Sequence, residues 1–306
     1  MRASIDIGSN SVLLLVGDIL DGKFIEHLSE ANITGLGKDL DKNGAFLKTS
    51  MEDTYKVLKN YKNKLENLRI DISSVLVTAT EASRVAQNAN DFFQDIKKKL
   101  GFSTNIITAS GEAFYTGFGI ASGLDCEEES EKVILDIGGA STEIIKVKNN
   151  PFRIVSSISL PIGSVRATDW IKNDSFKLNL DKIFCENEID FYKTEEIICV
   201  AGTMTSLGAM LKGLTDYRDK LIDGYEFSFL KFEKLISKLN KMEPPQILKE
   251  FPIIGKRFST ITGGGIVGVE IGRRLDVKNV IISTRGLRYG TLMGGEIDER
   301  FISRRF

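Results

Sequence analysis

Two stretches of this chain share one organisation: Ile5-Asp6-Ile7-Gly8-Ser9-Asn10-Ser11 and Leu135-Asp136-Ile137-Gly138-Gly139-Ala140-Ser141-Thr142-Glu143. In each stretch an apolar strand ends on Asp and enters a Gly/Ser turn, and a second apolar strand follows. Such a turn can direct backbone N–H groups at a phosphate, and the neighbouring Asp can hold a hard cation. A single short Gly motif often matches by accident. Two copies with Asp in the same place favour phosphate- and metal-binding units over ordinary hairpins.

Three acidic residues belong to the repeated stretches: Asp6, Asp136 and Glu143. Asp and Glu are almost never fully buried without a partner, and Mg²⁺ prefers a few carboxylates together with phosphate oxygens and waters. We therefore predict that these three residues hold Mg²⁺ or another divalent cation. A second interpretation stays open, in which each Asp caps the adjacent turn through backbone N–H groups.

The residues of the two turns are the predicted phosphate ligands: Gly8, Ser9, Asn10, Ser11, Gly138, Gly139, Ala140, Ser141 and Thr142. Gly202 and Thr203 form a third Gly turn after a strand, and residues 263–265 form a fourth before a helix. A helix N-terminus attracts anions. A glycine that allows close helix packing explains these last two turns equally well.

Composition indicates a globular chain of two domains. The length of 306 residues is typical of two domains. The 41 basic and 42 acidic side chains give a formal net charge of −1, so we expect neither nucleic acid nor a membrane surface as a partner. No apolar run approaches the ~18 residues of a membrane-spanning helix, and we expect no signal peptide.

Histidine and cysteine usage limits the chemistry. His27 is the only histidine, which excludes a metal site built from several His side chains and leaves acid–base catalysis to other residue types. The three cysteines are scattered and form no CxxC pair, so neither a zinc site nor a disulfide framework is indicated. A reducing cytoplasm is the expected location.

Strand patterns alternate with helix patterns along the chain, which predicts an α/β protein. The charge run from Glu127 to Lys132 is the predicted boundary between its halves. Domain I would span residues 1–124 and be joined by a C-terminal helix at about residues 295–306, and domain II would span residues 125–294. Duplicated halves create a cleft between them, which is a common place for a ligand.

Arg84 and Glu112 are not distinguished by pattern from ordinary helix-surface residues. The planar guanidinium of Arg84 suits a phosphate, and a carboxylate such as Glu112 suits a general base.

The order of motifs resembles the exopolyphosphatase / guanosine pentaphosphate phosphohydrolase (Ppx/GppA) family, within the actin–sugar kinase–Hsp70 superfamily. Asp6–Ser11 and Asp136–Glu143 resemble its two hallmark motifs. Thr80–Asn88 resembles the segment with the family's phosphate-binding Arg, and Ser110–Ala113 the segment with its proposed catalytic Glu. The likeness continues in three further stretches: Leu160–Arg166, Ala201–Thr205 and Ser283–Arg288.

The resemblance implies two actin-like (ribonuclease H-like) domains with the active site in the interdomain cleft. It also implies Mg²⁺-supported release of the terminal phosphate from inorganic polyphosphate or guanosine pentaphosphate (pppGpp). Glu112 would orient or deprotonate the attacking water, and Arg84 with the two turns would hold the terminal phosphate. Asp136 and Glu143 would hold metal or water, with Asp6 assisting. A homodimer is left open.

Three positions depart from the family pattern. Ala140 stands where the family usually has a third Gly, and Glu112 stands where it usually has two adjacent Glu. Leu13 occupies a place where relatives often carry Arg or His, so a contact to a distal phosphate is expected to be weaker. Longer relatives carry a helical C-terminal region, and this sequence is identified as the short, two-domain form.

Four hypotheses follow from the sequence. The leading one is an exopolyphosphatase, and the second is a pppGpp 5′-phosphohydrolase in which Arg257 and Arg288 meet further phosphates rather than being surface charges. The third is a non-catalytic (p)ppGpp-binding sensor, motivated by Leu13. The fourth is a sugar kinase of the same superfamily, for which no sugar-specific motif is visible.

Overall fold

The protein was analysed as a computed structural model that describes residues 1–123 and 130–306. The strands of these ranges, in chain order, are β1 (Arg2–Ile7), β2 (Ser11–Leu20), β3 (Lys23–Ile33), β4 (Leu76–Ala79), β5 (Thr104–Ile107), β6 (Glu131–Ile137), β7 (Thr142–Lys148), β8 (Arg153–Leu160), β9 (Glu196–Val200), β10 (Glu226–Ser228), β11 (Asn279–Ile282) and β12 (Ile302–Arg305).

The α-helices of the same ranges are α1 (Leu40–Asn43), α2 (Lys48–Asn67), α3 (Glu81–Val85), α4 (Ala89–Leu100), α5 (Ala109–Ala121), α6 (Ser164–Lys172), α7 (Phe176–Glu186), α8 (Ala201–Lys212), α9 (Asp219–Ile222), α10 (Phe229–Leu239), α11 (Pro244–Glu250), α12 (Ile261–Arg274) and α13 (Leu287–Gly294). Short 3₁₀ helices span Ile72–Ser74, Ile189–Tyr192, Pro252–Ser259 and Glu299–Phe301. Within the described ranges, none of the helices combines the length and the apolar character needed to cross a bilayer.

The strands form two six-stranded sheets with one plan. The first has the order β3-β2-β1-β4-β5-β12, and the second has the order β8-β7-β6-β9-β11-β10. In each sheet the first three strands are antiparallel, the next two run parallel, and the last strand is an antiparallel edge. The α/β class is confirmed, and so are both predicted strand–Asp–turn–strand units.

The chain divides into two compact units. Unit 1 comprises Met1–Gly123 and Leu287–Phe306, and unit 2 comprises Leu124–Gly286. Each unit has its own apolar core, because alternate residues of its sheet and the inner faces of its helices are buried together. The predicted interdomain cleft stays a prediction.

The predicted C-terminal helix at about residues 295–306 is wrong, because this segment contains a short 3₁₀ helix and then a strand. Gly295 has φ 78° just after α13, a left-handed conformation that suits glycine and ends the helix. Residues 302–305 then form β12, which pairs antiparallel with β5. The pairing gives the backbone of both strands their hydrogen-bond partners, which outweighs the helical pattern of the sequence.

Helix α13 belongs to unit 1, whereas the sequence predicts residues 287–294 in domain II. The reason is that α13 packs closely on α5. A Cβ atom at Gly290 would lie 1.7 Å from the Tyr115 carbonyl oxygen of α5, so only glycine permits this approach. The Ser4 and Thr291 hydroxyls also share a buried hydrogen bond of 2.7 Å. At the other predicted boundary, Glu127 to Glu129 lie outside the described residues, and Glu131 and Lys132 already belong to β6.

Candidate active site

In unit 1 the turn between β1 and β2 is closed by one hydrogen bond and held by the segment after β3. The Gly8 N–H donates to the Ser11 carbonyl at 2.9 Å. The Ser9 carbonyl accepts from Gly37 N–H at 2.7 Å, and the Asn10 carbonyl accepts from Thr34 and Gly35 N–H at 3.0 Å each. In a trans peptide the N–H points opposite to the C=O. The Asn10 N–H therefore points away from the segment that binds the Ser9 carbonyl.

In unit 2 the turn between β6 and β7 repeats this arrangement. The Gly138 N–H donates to the Ser141 carbonyl at 3.0 Å. The Gly138 carbonyl accepts from Ser164 N–H at 2.9 Å, and the Gly139 carbonyl accepts from Val165 N–H at 2.8 Å, both in the first turn of α6. The Gly139 and Ala140 N–H groups consequently face away from α6, the orientation that an anion-binding turn requires.

One glycine packs directly on each turn. A Cβ atom at Gly163 would lie 2.6 Å from both atoms of the Gly139 carbonyl group and 2.7 Å from the Ala140 backbone nitrogen. A Cβ atom at Gly37 would lie 2.9 Å from the Cβ of Ser9. Arg166 completes the unit 2 turn by donating to the Ala140 carbonyl at 2.7 Å. From the sequence alone these bracing residues have no assigned role, although each Gly follows the second strand after its turn and Gly163 and Arg166 lie in the stretch Leu160–Arg166.

The predicted acids occupy matching strand positions. Asp6 lies opposite Leu13 on β2, and Asp136 lies opposite Glu143 on β7. Directly opposite residues of an antiparallel pair share one face of the sheet, and like charges there repel each other. Glu143 is only 2% exposed, and its Oε1 accepts from the Ser159 hydroxyl at 2.7 Å. Asp136 and Glu143 therefore bring two carboxylates together, whereas Asp6 faces an apolar residue.

These carboxylates suit Mg²⁺ as its protein ligands. Nowhere in residues 1–123 and 130–306 do three or more His, Cys, Asp or Glu side chains gather as a metal site. Mg²⁺ does not need such a cage, because it commonly binds one or two carboxylates and takes its other ligands from substrate phosphates and waters. The opposed pair of Asp136 and Glu143 fits that donor set, and a cation would relieve their mutual repulsion.

Glu112 lies in the first turn of α5. Thr108 caps this helix by accepting from the Gly111 N–H at 3.1 Å, and its carbonyl accepts from the Glu112 N–H at 2.9 Å. Glu112 is 8% exposed. Burial raises the pKa of Glu112, the Arg84 guanidinium opposes that shift, and the Glu81 carboxylate adds to it. A Glu with a raised pKa is suited to accept a proton near neutral pH.

Arg84 and Glu112 lie in direct contact. Arg84 Nη1 donates to Glu112 Oε2 at 3.0 Å and to the Ile107 carbonyl at 2.9 Å. Its Nη2 and Nε make no hydrogen bond to the residues that the structure describes. The same side chain thus orients Glu112 and keeps donors for an anion, in keeping with the predicted phosphate-binding role.

Gly202, Thr203 and Arg257 also come together, in unit 2. Gly202 lies in the first turn of α8, and a Cβ atom there would be 2.2 Å from the Arg257 Nη2, so the guanidinium lies against the Gly202 backbone. Burial lowers the pKa of Arg257, and Tyr217 opposes this shift. Among the described residues no carboxylate pairs with Arg257. Arg257 is half-buried, and partial desolvation of a cation without a counterion has a free-energy cost, so an anionic ligand would suit this position.

The model of the Ppx/GppA phosphatase family matches residues 15–298 of this chain. Exopolyphosphatase 2 of Mycobacterium tuberculosis is 27% identical, over 89% of this chain and 90% of that protein. A guanosine-5′-triphosphate,3′-diphosphate pyrophosphatase of Aeromonas salmonicida is 23% identical, over 96% of this chain and 59% of that protein. A bifunctional 3-dehydroquinate synthase/phosphatase of Fusobacterium nucleatum is 27% identical, over 96% of this chain.

The chain spans 46% of the Fusobacterium protein, about half its length. Among solved structures, the Aquifex aeolicus member of the Ppx/GppA protein family is 28% identical, with a TM-score of 0.76 and coverage of 96% of both chains. This likeness confirms the actin-like, two-domain fold that the motifs imply. The roles of the individual site residues stay predictions.

Proposed function

Because this chain belongs to the Ppx/GppA phosphatase family, we propose that it releases terminal orthophosphate from inorganic polyphosphate. The observation that carries the proposal is the pair of matching turns. In each, the carbonyls bind backbone N–H groups of the same unit, which leaves turn N–H groups directed the other way. Neutral N–H donors at fixed positions suit the oxygens of a phosphoanhydride, since phosphoryl transfer depends mainly on positioning and charge stabilisation.

Glu112 is the proposed general base. It accepts a proton from a water molecule, whose oxygen bonds to the terminal phosphorus while the bond from phosphorus to the bridging oxygen breaks. The electrons of that bond stay with the shortened chain, and orthophosphate leaves. The contact with Arg84 fixes the Glu112 carboxylate, and the other guanidinium N–H groups of Arg84 hold oxygens of the terminal phosphate.

Asp136 and Glu143 are the proposed ligands of Mg²⁺. The ion would supply positive charge to phosphate oxygens during bond breaking. Ser159 orients Glu143 through its 2.7 Å hydrogen bond, and Arg166 holds the neighbouring turn through the Ala140 carbonyl. Asp6 is proposed to assist from unit 1.

A second candidate function is hydrolysis of the 5′-terminal phosphate of pppGpp. Arg257 favours it, because this half-buried cation against the first turn of α8 has no carboxylate partner among the described residues. A nucleotide with phosphates at two positions would offer it an anion beyond the one being hydrolysed. The Aeromonas relative carries the name of that activity.

The experiment is phosphate release by the purified protein, with Mg²⁺, from polyphosphate and pppGpp at equal concentrations of terminal phosphate. Faster release from polyphosphate supports the leading proposal, and faster release from pppGpp supports the second. The variant Arg257→Met sharpens the comparison, because we expect it to lower kcat/KM more for pppGpp than for polyphosphate. Arg218→Met is its control, since Arg218 is exposed and pairs with Asp216. Tight binding of either substrate without phosphate release would contradict both proposals and favour a sensor.

A further inference from the structure

Arg304 of β12 binds the backbone of the helix that carries Arg84. Its Nη2 donates to the Ser83 carbonyl at 2.7 Å and to the Arg84 carbonyl at 2.9 Å. Its Nη1 donates to Asn90 Oδ1 at 2.8 Å, in α4. The guanidinium therefore joins β12 to two helices, and it is half-buried rather than solvated.

The two carbonyls need a donor because α3 is short. A helix leaves its last carbonyls without intrahelical partners, and α3 ends at Val85. The Gln87 N–H, which would bind the Ser83 carbonyl if the helix continued, donates to the Gly44 carbonyl at 2.9 Å. Arg304 replaces the missing donors, as basic side chains do at helix C-termini.

The segment just before Arg304 contacts the helix that carries Glu112. The Phe301 carbonyl accepts from the Thr108 N–H at 2.8 Å, immediately before α5. A Cβ atom at Gly111 would lie 2.6 Å from the Phe301 Cβ, so glycine lets the two backbones approach. Residues 301–304 thus contact both helices whose side chains meet in the Arg84–Glu112 pair.

We infer that residues 301–304 hold the Arg84–Glu112 pair in its working geometry, with Arg304 as a positioning residue. The expected effect on catalysis rests on the proposed function, whereas the expected effect on the geometry of the pair does not. A displacement of about 1 Å at a reacting group can cost on the order of 10²-fold in rate. Arg304 touches neither carboxylate nor substrate, and acts only through the backbone of residues 83 and 84.

Arg305 provides a matched control on the same strand. It pairs with Glu299 at 2.7 Å and donates to Asn105 Oδ1 at 2.9 Å, without contacting α3. The test compares Arg304→Met with Arg305→Met for phosphate release. We expect the first to lower kcat/KM by about 10- to 100-fold and the second to change it by less than about twofold. The conservative variant Arg304→Lys should recover part of the loss, because one ammonium can still reach a carbonyl.

A second measurement does not depend on turnover: the pKa of Glu112 from NMR titration of the carboxyl carbon. Arg84 and Glu81 are the charged groups that face Glu112. Loosening α3 weakens the Arg84 contact, so the pKa of Glu112 should rise in Arg304→Met and stay unchanged in Arg305→Met. An unchanged pKa in Arg304→Met would overturn the inference, as would equal activity of the two Met variants.

Failure of the proposed function and failure of the inference about Arg304 give different results. If the native protein releases no phosphate from either substrate, the proposed function fails, and the Glu112 titration alone decides whether Arg304 positions the pair. If Arg304→Met does not fold, the titration of Arg304→Lys replaces it. A pKa of Glu112 in that variant above the native value supports the inference, and a native value contradicts it.

Discussion

Arg84 Nη1 lies 3.0 Å from Glu112 Oε2, so the proposed phosphate-binding cation is also the partner of the proposed base. Burial alone would raise the pKa of Glu112 and favour its protonated form, and Arg84 opposes this effect. If these proposed roles hold, the pair links phosphate binding to the protonation state of Glu112. An anion held by the other N–H groups of Arg84 would offset part of the charge that lowers the pKa of Glu112, so the carboxylate would become a better proton acceptor while its contact with Arg84 is kept.

Glu112→Gln should remove most of the activity. The amide keeps the size of the side chain but cannot accept the proton of the attacking water, so we expect kcat to fall by about 10²- to 10⁴-fold. Phosphate release under saturating substrate measures this. Glu52→Gln is the control, because Glu52 is an exposed residue of α2. Native-like kcat in Glu112→Gln would show that another group serves as the base.

Arg84→Met should move the pH dependence of kcat/KM. A carboxylate base works when deprotonated, so activity is lost as the pH falls through the pKa of Glu112. Arg84 lowers that pKa, and without it the pKa rises and the acid limb moves to higher pH. Profiles of native and variant protein test the direction. Arg84→Lys keeps a positive charge and should shift the limb less, and an acid limb that moves to lower pH would refute the assignment.

Gly163→Ala should disturb the unit 2 turn without backbone strain. The added methyl would meet the backbone of Gly139 and Ala140 at 2.6 to 2.7 Å, while φ −142° is ordinary for alanine. We expect a loss of about 1–3 kcal/mol in the free energy of unfolding and a raised KM, measured by denaturant titration and kinetics. Gly294→Ala is the control, since its methyl would meet only Tyr115, at 3.5 Å.

A Gly163→Ala variant with native stability and native KM would mean that the turn can move without consequence. A variant with lower stability but native KM would separate the packing role of Gly163 from phosphate binding.

Mg²⁺ should stabilise the native protein and not the variant Asp136→Asn. A ligand that binds only the folded state adds about 2.7 kcal/mol at a concentration 100 times its Kd. Without Mg²⁺, Asp136→Asn should be slightly more stable than the native protein, since it removes one of two directly opposed carboxylates, a repulsion of about 0.2–1 kcal/mol. Thermal unfolding with Mg²⁺ and with a chelator measures both effects.

Asp181→Asn serves as the control for this comparison, because Asp181 is exposed on α7. It should keep the full Mg²⁺-dependent rise in Tm. An equal rise in Asp136→Asn would place the ion elsewhere.

The repeated strand–Asp–turn–strand units were predictable from sequence because their determinants are local. Apolar runs set the strands, and the Gly/Ser residues between them set the turns. The pairing of Asp136 with Glu143 follows from the same hairpin register. The residues that brace the turns were not predictable in this way. Gly37 contacts its turn from the segment after β3, and Gly163 and Arg166 contact theirs from the segment after β8.

The contacts of Arg84 likewise could not be predicted from local sequence. Its short helix resembles any surface helix, and only the fold places Glu112 beside its guanidinium and Arg304 beneath its backbone. The predicted helix at 295–306 failed for a related reason: strand β12 is stabilised by β5, which lies nearly two hundred residues earlier, and no local pattern carries that information.

The sixth strand of the first sheet has a consequence for how the protein is made. Strand β12 and helix α13 complete unit 1, yet the whole of unit 2 is translated before them. At about 5–20 residues per second on the ribosome, Arg84 and Glu112 emerge many seconds before the segment that braces them. Until then the β5 edge of the nascent N-terminal sheet lacks its β12 partner, and the proposed activity would require that Arg304 has left the ribosome.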